Sequence, residues 1–222
     1  MSRRSDDLTT TSYAMLGMLA IRPWTTYELA KHMERGVSRL WPPSARSNLF
    51  NEPKKLVAHG VAQATSETVG KRPRTVYSIT AKGRRALKTW LATPGEPTRL
   101  ESEQLLKIFF AEHGTTQNAR ATIADIQHWA QEHAEENVAV ARSYLAGIGP
   151  FPERAAVLAL TGRFMTDYID MIARRAEWAE TIVEGWPDDP QLAEPDWATF
   201  ENVARRGEDR LHRPPGPDDS SP

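Results

Sequence analysis

Three cationic side chains are grouped within four residues near position 70. Lys71, Arg72 and Arg74 lie around Gly70 and Pro73, and both glycine and proline favour a tight turn. A stiff cationic turn can reach a phosphate backbone or a neighbouring minor groove. The alternative is a charged surface turn that binds nothing. The pattern favours contact with a polyanion, and we predict that these three cations bind DNA.

A second group of polar residues precedes and enters a segment of helical periodicity. Arginine can recognise guanine and asparagine can recognise adenine through paired hydrogen bonds in the major groove. A helix carrying such side chains in its first turns is therefore a candidate recognition helix, although a solvated helix face is the alternative. The residues predicted to contact DNA from this helix are Ser44, Arg46, Ser47, Asn48, Asn51 and Lys54.

The net charge of −1 is the balance of two oppositely charged halves. Residues 1–92 contain 16 Lys and Arg against 6 Asp and Glu, a net of +10, whereas residues 93–222 contain 12 against 23, a net of −11. A basic module of this size is typical of a surface that displaces counterions from a polyanion. Mutual attraction of the two halves is the alternative explanation.

The elements that must position these cations are predicted by periodicity and by capping residues. Thr10, Thr11 and Ser12 offer caps for a buried helix over 13–21, and Thr25 with Glu28 forms a capping box that begins a second helix. A third helix is expected over about 45–59, ended by Gly60 in the left-handed conformation. Its buried side chains are expected to be Leu49, Phe50, Leu56 and Val57.

An alternating pattern follows the third helix. Residues 61–68 and 74–80 are predicted to pair as a β-hairpin whose tip is basic, and Thr80 caps a fourth helix over 81–91. The order helix, helix, helix, hairpin, helix is typical of a winged helix. Pro53 leaves two alternatives for the third helix, which is either kinked at this residue or begins only near Glu52.

Beyond a hinge at 93–97 the period is helical throughout. Helices are predicted over 102–112, about 117–147 and about 153–186, and Asp196 caps a short last helix. The second of these carries a heptad-like stripe of Ala119, Ile123, Ile126, Ala130, His133, Asn137, Val140 and Tyr144. Two long helices joined by a short turn predict an antiparallel hairpin with a stripe suited to a second copy of the chain.

Other chemistry has little support. His128 and His133 are five residues apart rather than four, and the chain has no cysteine, so we expect no metal site, no cofactor, no catalytic residue and a reducing, cytoplasmic location. The apolar run near the start is too short to span a membrane. Aromatic residues of the second half are expected mainly in packing, with Phe109, Phe110, Trp129 and Trp178 as candidates for a ligand pocket.

The N-terminal residues resemble the PadR-like transcriptional regulators, in the subgroup with a long C-terminal helical domain. The most specific stretch is 70–84, GKRPRTVYSITAKGR. Shorter stretches in the three preceding helices also match: 16–19, 27–30, 49–50, 54–56 and 60–61. Residues 106–111 resemble the start of the family's C-terminal domain. The resemblance implies a homodimeric repressor that binds a palindromic operator and releases it when a small, often aromatic, compound binds. Members commonly have tyrosine where Phe50 stands, so a hydroxyl contact to phosphate is absent here.

These observations predict a mainly α protein with a small β-hairpin wing. A winged helix-turn-helix DNA-binding domain is expected over 8–92, a helical dimerisation and effector-binding domain over 99–206, and a disordered tail over 207–222. The expected partners are double-stranded DNA, a second copy of the chain and a small-molecule effector, and no membrane. The alternative function is a protein-interaction or ligand-binding adaptor that uses the winged helix for docking.

Overall fold

The computed structural model describes residues 8–41, 46–69 and 72–212. The chain divides into two compact units, Met1–Thr98 and Arg99–Pro222. The first unit contains the helices α1 (Thr10–Ile21), α2 (Thr26–Arg35), α3 (Arg46–Ala58) and α4 (Ala81–Leu91).

Side-chain caps explain where three of these helices begin. The Thr25–Glu28 capping box starts α2 and Thr80 caps α4, as predicted. The cap of α1 differs from the prediction because Thr9, rather than a residue of 10–12, is the N-cap, with Ser12 as its reciprocal partner. A hydroxyl at Thr9 can satisfy the amide three residues later, so the helix begins at Thr10, three residues earlier than the predicted start at residue 13.

The sheet of the first unit has three antiparallel strands in the order β1, β3, β2. Strand β2 (Ala62–Val69) pairs with β3 (Arg72–Ile79) along its whole length, from Ala62 opposite Ile79 to Val69 opposite Arg72. The hairpin is therefore confirmed, with strands that extend further toward the tip than predicted. Strand β1 (Trp24–Thr25) was not predicted, and it pairs with Tyr77 and Val76 of β3.

Helix α3 is continuous across Pro53, which lies inside it and is fully buried. The alternative in which the helix begins only near Glu52 is therefore wrong. Leu49 and Leu56 are buried on the same side of α3, as expected. Phe50 was expected to be buried but is 41% exposed, because the buried positions of α3 repeat every three to four residues and Phe50 falls outside that row.

The core of the first unit is formed by α1, α2, α3 and the base of the sheet. Its fully buried side chains are Met15, Leu16, Leu19, Trp24, Leu29, Leu49, Pro53 and Leu56, together with Ser12. Gly60 ends α3 with φ +68°, the left-handed conformation that the sequence predicts. The next residue, Val61, leads directly into β2, so the position at which α3 ends determines where the hairpin begins.

Among the residues described, helices are the only regular elements of the second unit. It contains α5 (Glu103–Phe109), α6 (Thr116–Leu145), α7 (Ala155–Glu184) and α8 (Trp197–Leu211), with short 3-10 turns between them. Helix α5 is shorter than predicted because a 3-10 turn, Ala111–His113, follows it. Helix α8 includes residues 207–211, which the sequence places in the tail, whereas 213–222 lie outside the described residues.

The long helices α6 and α7 form the expected antiparallel hairpin. The amide of Thr116 donates to the carbonyl of Asp188 at 3.2 Å, Gln127 Nε2 donates to Glu180 Oε2 at 2.7 Å, and Asn137 Nδ2 donates to Thr166 Oγ1 at 3.1 Å. The two helices and the turn before α6 share an apolar core. Its buried members are Ala111, Ala119, Ile123, Ala176 and Val183.

Candidate nucleic-acid interface

The candidate recognition helix presents only part of its predicted set within the described side chains. Asn51 and Lys54 are exposed on α3, so both are available to a ligand. Arg46, Ser47 and Asn48 occupy the first turn of the helix, but their side chains, like Ser44 as a whole, lie outside the described residues. The DNA-contacting role of all six residues stays a prediction.

The first turn of α1 holds α3 in place, a link that the sequence does not predict. Ser12 Oγ donates a hydrogen bond to Glu52 Oε1 across 40 residues of chain, and Ser12 is fully buried. The same turn accepts a hydrogen bond from Trp41 Nε1, which lies 3.3 Å from Thr11 Oγ1. The segment leading to the recognition helix and the helix itself are thus both attached to α1. Long-range polar pairs of this kind leave no periodic signal in a sequence.

The wing carries an ion pair that competes with any phosphate for one predicted contact. Arg74 lies opposite Glu67 across the hairpin, with Arg74 Nη2 2.9 Å and Nε 3.3 Å from Glu67 Oε2. Both side chains are about half exposed, so the pair is solvated and contributes little to stability. Lys71 lies outside the described residues. Arg72 is the first residue of β3, but the structure describes only its backbone.

The start of α2 lies beside β3 and is tied to a buried tryptophan. Hydrogen bonds from the backbone amide and then the hydroxyl of Thr25 lower the pKa of Glu28. Arg22 lies over the ring of Trp24 at 3.5 Å, and the ring of His32 packs 4.5 Å from the same tryptophan. Burial lowers the pKa of His32, and the positive charge of Arg22 lowers it further.

Helix α4 carries four more cations. Lys82 Nζ donates to the carbonyl of His59 at 2.8 Å and so satisfies a free carbonyl at the end of α3. Gly83 packs against the same corner, where an added Cβ would lie 2.0 Å from the carbonyl oxygen of Val61. Arg84, Arg85 and Lys88 are further along the helix, and Arg84 is exposed. Lys82 therefore has a structural role in joining α4 to the end of α3.

The four aromatic residues predicted for a ligand pocket are not brought together. A surface cavity of about 450 Å³ in the second unit is lined by ten residues of α5, the following turn and α6, and Phe110 is the only one of the four among them. Phe109 and Phe110 contact each other edge to face at 5.0 Å. Trp129 instead stacks on His133 at 4.3 Å and meets Tyr168 of α7 edge to face, while Trp178 is partly exposed on α7.

Across residues 8–41, 46–69 and 72–212, no helix is long and apolar enough to cross a membrane.

The first unit thus has the arrangement that defines winged-helix transcriptional regulators: a helix-turn-helix, α2 and α3, followed by a two-stranded wing. Residues 15–89 match the model of the Transcriptional regulator PadR-like family. The resemblance predicted from the sequence is confirmed, and this part of the chain is a PadR-like transcriptional regulator domain with a DNA-binding winged helix.

Solved structures agree on the fold. PadR of Bacillus subtilis in complex with operator DNA has a TM-score of 0.68 at 18% identity, over 80% of this chain and 99% of that one. A PadR-like regulator of Bacillus cereus, BC1756, has a TM-score of 0.63 at 16% identity, over 78% and 97%. The Bacillus subtilis PadR complex with p-coumaric acid gives 0.59 at 19% identity, over 79% and 99%. No curated protein matches the sequence.

Proposed function

We propose that the protein is a homodimeric repressor that binds a palindromic operator and is released from it by a small aromatic ligand. The observation that carries the proposal is that a helix with exposed polar side chains, α3, and a basic wing both occur inside the stretch that matches the PadR-like model. A DNA-binding regulator acts where the DNA is, so we also propose a cytoplasmic location and a binding role rather than a catalytic one.

The DNA contacts are proposed from α3 and the wing together. Asn51 and Lys54 are exposed on α3, and Arg74 is half exposed on β3. We propose that Ser44, Arg46, Ser47 and Asn48 extend the α3 contact, and that Lys71 and Arg72 extend the wing. Base-reading groups on the helix and phosphate-binding cations on the wing are the two kinds of contact that specific recognition needs.

The wing ion pair gives the proposal a sharp test. Because Arg74 must leave Glu67 to bind phosphate, R74A should weaken operator binding and reduce the salt slope by about one unit. E67Q should do the opposite and tighten binding, since it removes both the competing partner and a repulsive charge. Gel-shift or anisotropy titrations of upstream DNA over a range of salt measure both effects.

The matched control is an exposed cation of the other unit, R163A, which also breaks a solvated ion pair, that with Asp167. It should leave DNA affinity unchanged. Failure of the wild-type protein to bind any duplex, or binding that does not depend on salt, would overturn the proposal and favour an adaptor that docks on an acidic protein.

The ligand is proposed from a relative. Bacillus subtilis PadR has been solved with p-coumaric acid, and the cavity beside Phe110 is of a size that accepts a small aromatic compound. We retain Phe109, Trp129 and Trp178 as candidate contacts. Titration of the protein–DNA complex with p-coumaric acid and related aromatic acids tests the proposal, and release from DNA that F110A abolishes is the expected result. A complex that none of these compounds dissociates contradicts this part of the proposal.

A further inference from the structure

One large apolar side chain of α3 lies on a face of the helix that turns away from the core. Phe50 is 41% exposed, and it lies within the first two turns of α3. Because an α-helix turns about 100° per residue, the buried residues Leu49, Pro53 and Leu56 fall within an arc of about 60°. Phe50 lies outside that arc, so the core does not require an aromatic ring at this position.

Phe50 shares its face of α3 with the two residues whose exposed side chains are proposed to contact DNA. Asn51 follows Phe50 directly, and Lys54 is one turn further along, about 40° around the helix from Phe50. Asn51 and Lys54 are both exposed. The three side chains occupy an arc of about 100°, separate from the arc of the buried residues. A docking that brings Asn51 and Lys54 into the major groove therefore brings Phe50 there as well.

The chemistry of a phenyl ring limits what it can recognise in that groove. The Phe50 side chain has no hydrogen-bonding group, so it cannot pair with the donors and acceptors of the base edges. The apolar group that the major groove presents is the 5-methyl group of thymine, and apolar side chains, phenylalanine included, contact it. More than half of the surface of Phe50 is already covered by protein, so its side chain has little freedom left to lose when DNA binds.

We infer that Phe50 contacts the 5-methyl group of a thymine in the operator half-site and selects thymine at that position. The inference rests on the proposed DNA-binding function, and it adds a base preference that Asn51 and Lys54 do not supply. Those two side chains pair with donors and acceptors of the bases or with phosphate oxygens. Phe50 instead distinguishes thymine by its methyl group, which no other base carries in the major groove.

Replacement of thymine by deoxyuridine tests the inference, because it removes the methyl group and leaves the pairing with adenine unchanged. Selection from random duplexes with the wild-type protein first defines the operator, and each thymine of one half-site is then replaced in turn. Replacement at one position should weaken wild-type binding about fourfold, the loss expected for one buried methyl group. Deoxyuridine outside the half-sites should have no effect. Anisotropy titrations at constant salt measure these affinities.

Variants of Phe50 show whether this residue is the one that recognises the methyl group. Phe50→Ala should weaken binding to the thymine operator, and it should bind the deoxyuridine operator with the same affinity as the thymine operator. Phe50→Leu keeps an apolar side chain and should keep a preference for thymine. The matched control is Lys54→Ala, on the same exposed face of α3. It should bind both operators more weakly but keep the fourfold difference between them.

The outcomes separate this inference from the proposed function. Circular dichroism establishes that each variant is folded, and if F50A is not, F50Q replaces it with the same expectation. A wild-type protein that binds no duplex would overturn the proposed function. A wild-type protein that binds its operator but tolerates deoxyuridine at every thymine would overturn only the role of Phe50. An F50A variant that keeps the fourfold difference would do the same, because another side chain would then contact the methyl group.

Discussion

At the residue scale, Trp24 is the point where the unpredicted parts of the DNA-binding unit meet. It is fully buried, it belongs to the two-residue strand β1, and its Nε1 donates to the carbonyl of Met18 at 2.8 Å. Arg22 and His32 both pack on its ring. The start of α2, and with it the helix-turn-helix, is therefore held by an aromatic contact that includes a titratable group.

This contact predicts a pH dependence of stability. Burial lowers the pKa of His32 in the folded state below its usual value of about 6.5, so the unfolded chain binds a proton more readily as the pH falls. The free energy of unfolding should therefore decrease as the pH drops through about 6.5, and the loss should be complete below the lowered folded pKa. Chemical unfolding of wild-type protein and H32Q between pH 5 and 8, followed by circular dichroism, measures it.

The variant isolates the effect from other titrations. H32Q should have a flatter profile than the wild type in this window, and equal slopes would contradict the assignment. Glu28 acts in a lower range, because its pKa is lowered below the usual value of about 4.3. Its stabilising contribution is present above that value and is lost as the pH falls through the folded pKa, so the two groups are separated by pH.

At the element scale, α4 approaches the corner at Val61 closely through Gly83. An added Cβ at Gly83 would lie 2.0 Å from the Val61 carbonyl oxygen and 2.8 Å from Ile79 Cγ1. Alanine is intrinsically about 1 kcal/mol better than glycine in a helix. The clash with backbone outweighs that gain, so α4 would have to move away from the hairpin that carries the wing.

Two glycine-to-alanine changes in helices should therefore have opposite signs. G83A should lower the free energy of unfolding by about 1–3 kcal/mol, the range found for overpacked sites. G17A in α1, where nothing lies within 4 Å of the added Cβ, should raise it by about 0.5–1 kcal/mol. Urea denaturation compares the two variants in the same unit. A stabilising G83A would mean that the corner can open without cost.

At the scale of the whole molecule, the two halves of the sequence carry opposite net charges and therefore interact differently with DNA. The net +10 of residues 1–92 belongs to the part that matches the PadR-like model, and the net −11 of residues 93–222 belongs to the helical part. A polyanion attracts the first and repels the second. This division supports contact with DNA through the first unit.

The proposed dimer predicts how the operator must be spaced. Two recognition helices in successive major grooves require half-sites about one helical turn apart, or multiples of it. Inserting about five base pairs between the half-sites rotates one of them to the opposite side of the duplex, so cooperative binding should be lost. Inserting about ten should restore part of it. Gel shifts with the three spacings measure this, and equal affinity for all of them would indicate that the copies bind independently.

The sequence by itself determined the elements whose signals are local. The Thr25–Glu28 capping box, the Thr80 cap and the left-handed Gly60 fix helix ends through contacts within a few residues. The alternating pattern of 61–80 determined the hairpin, and helical periodicity determined α6 and α7. The resemblance to the PadR-like family followed from the same residues, above all those of the wing.

The tertiary structure decided what depends on residues far apart in the chain. Strand β1 is only two residues long and exists because β3 pairs with it. Pro53 lies inside a continuous α3 and in a buried row with Leu49 and Leu56. The Ser12–Glu52 hydrogen bond spans 40 residues. Phe50 and Phe164 have large apolar side chains of the kind found in cores, but both lie outside the buried rows of their helices. Burial is a property of the packed arrangement, so periodicity could place these residues on helices but could not say which of them the core would take.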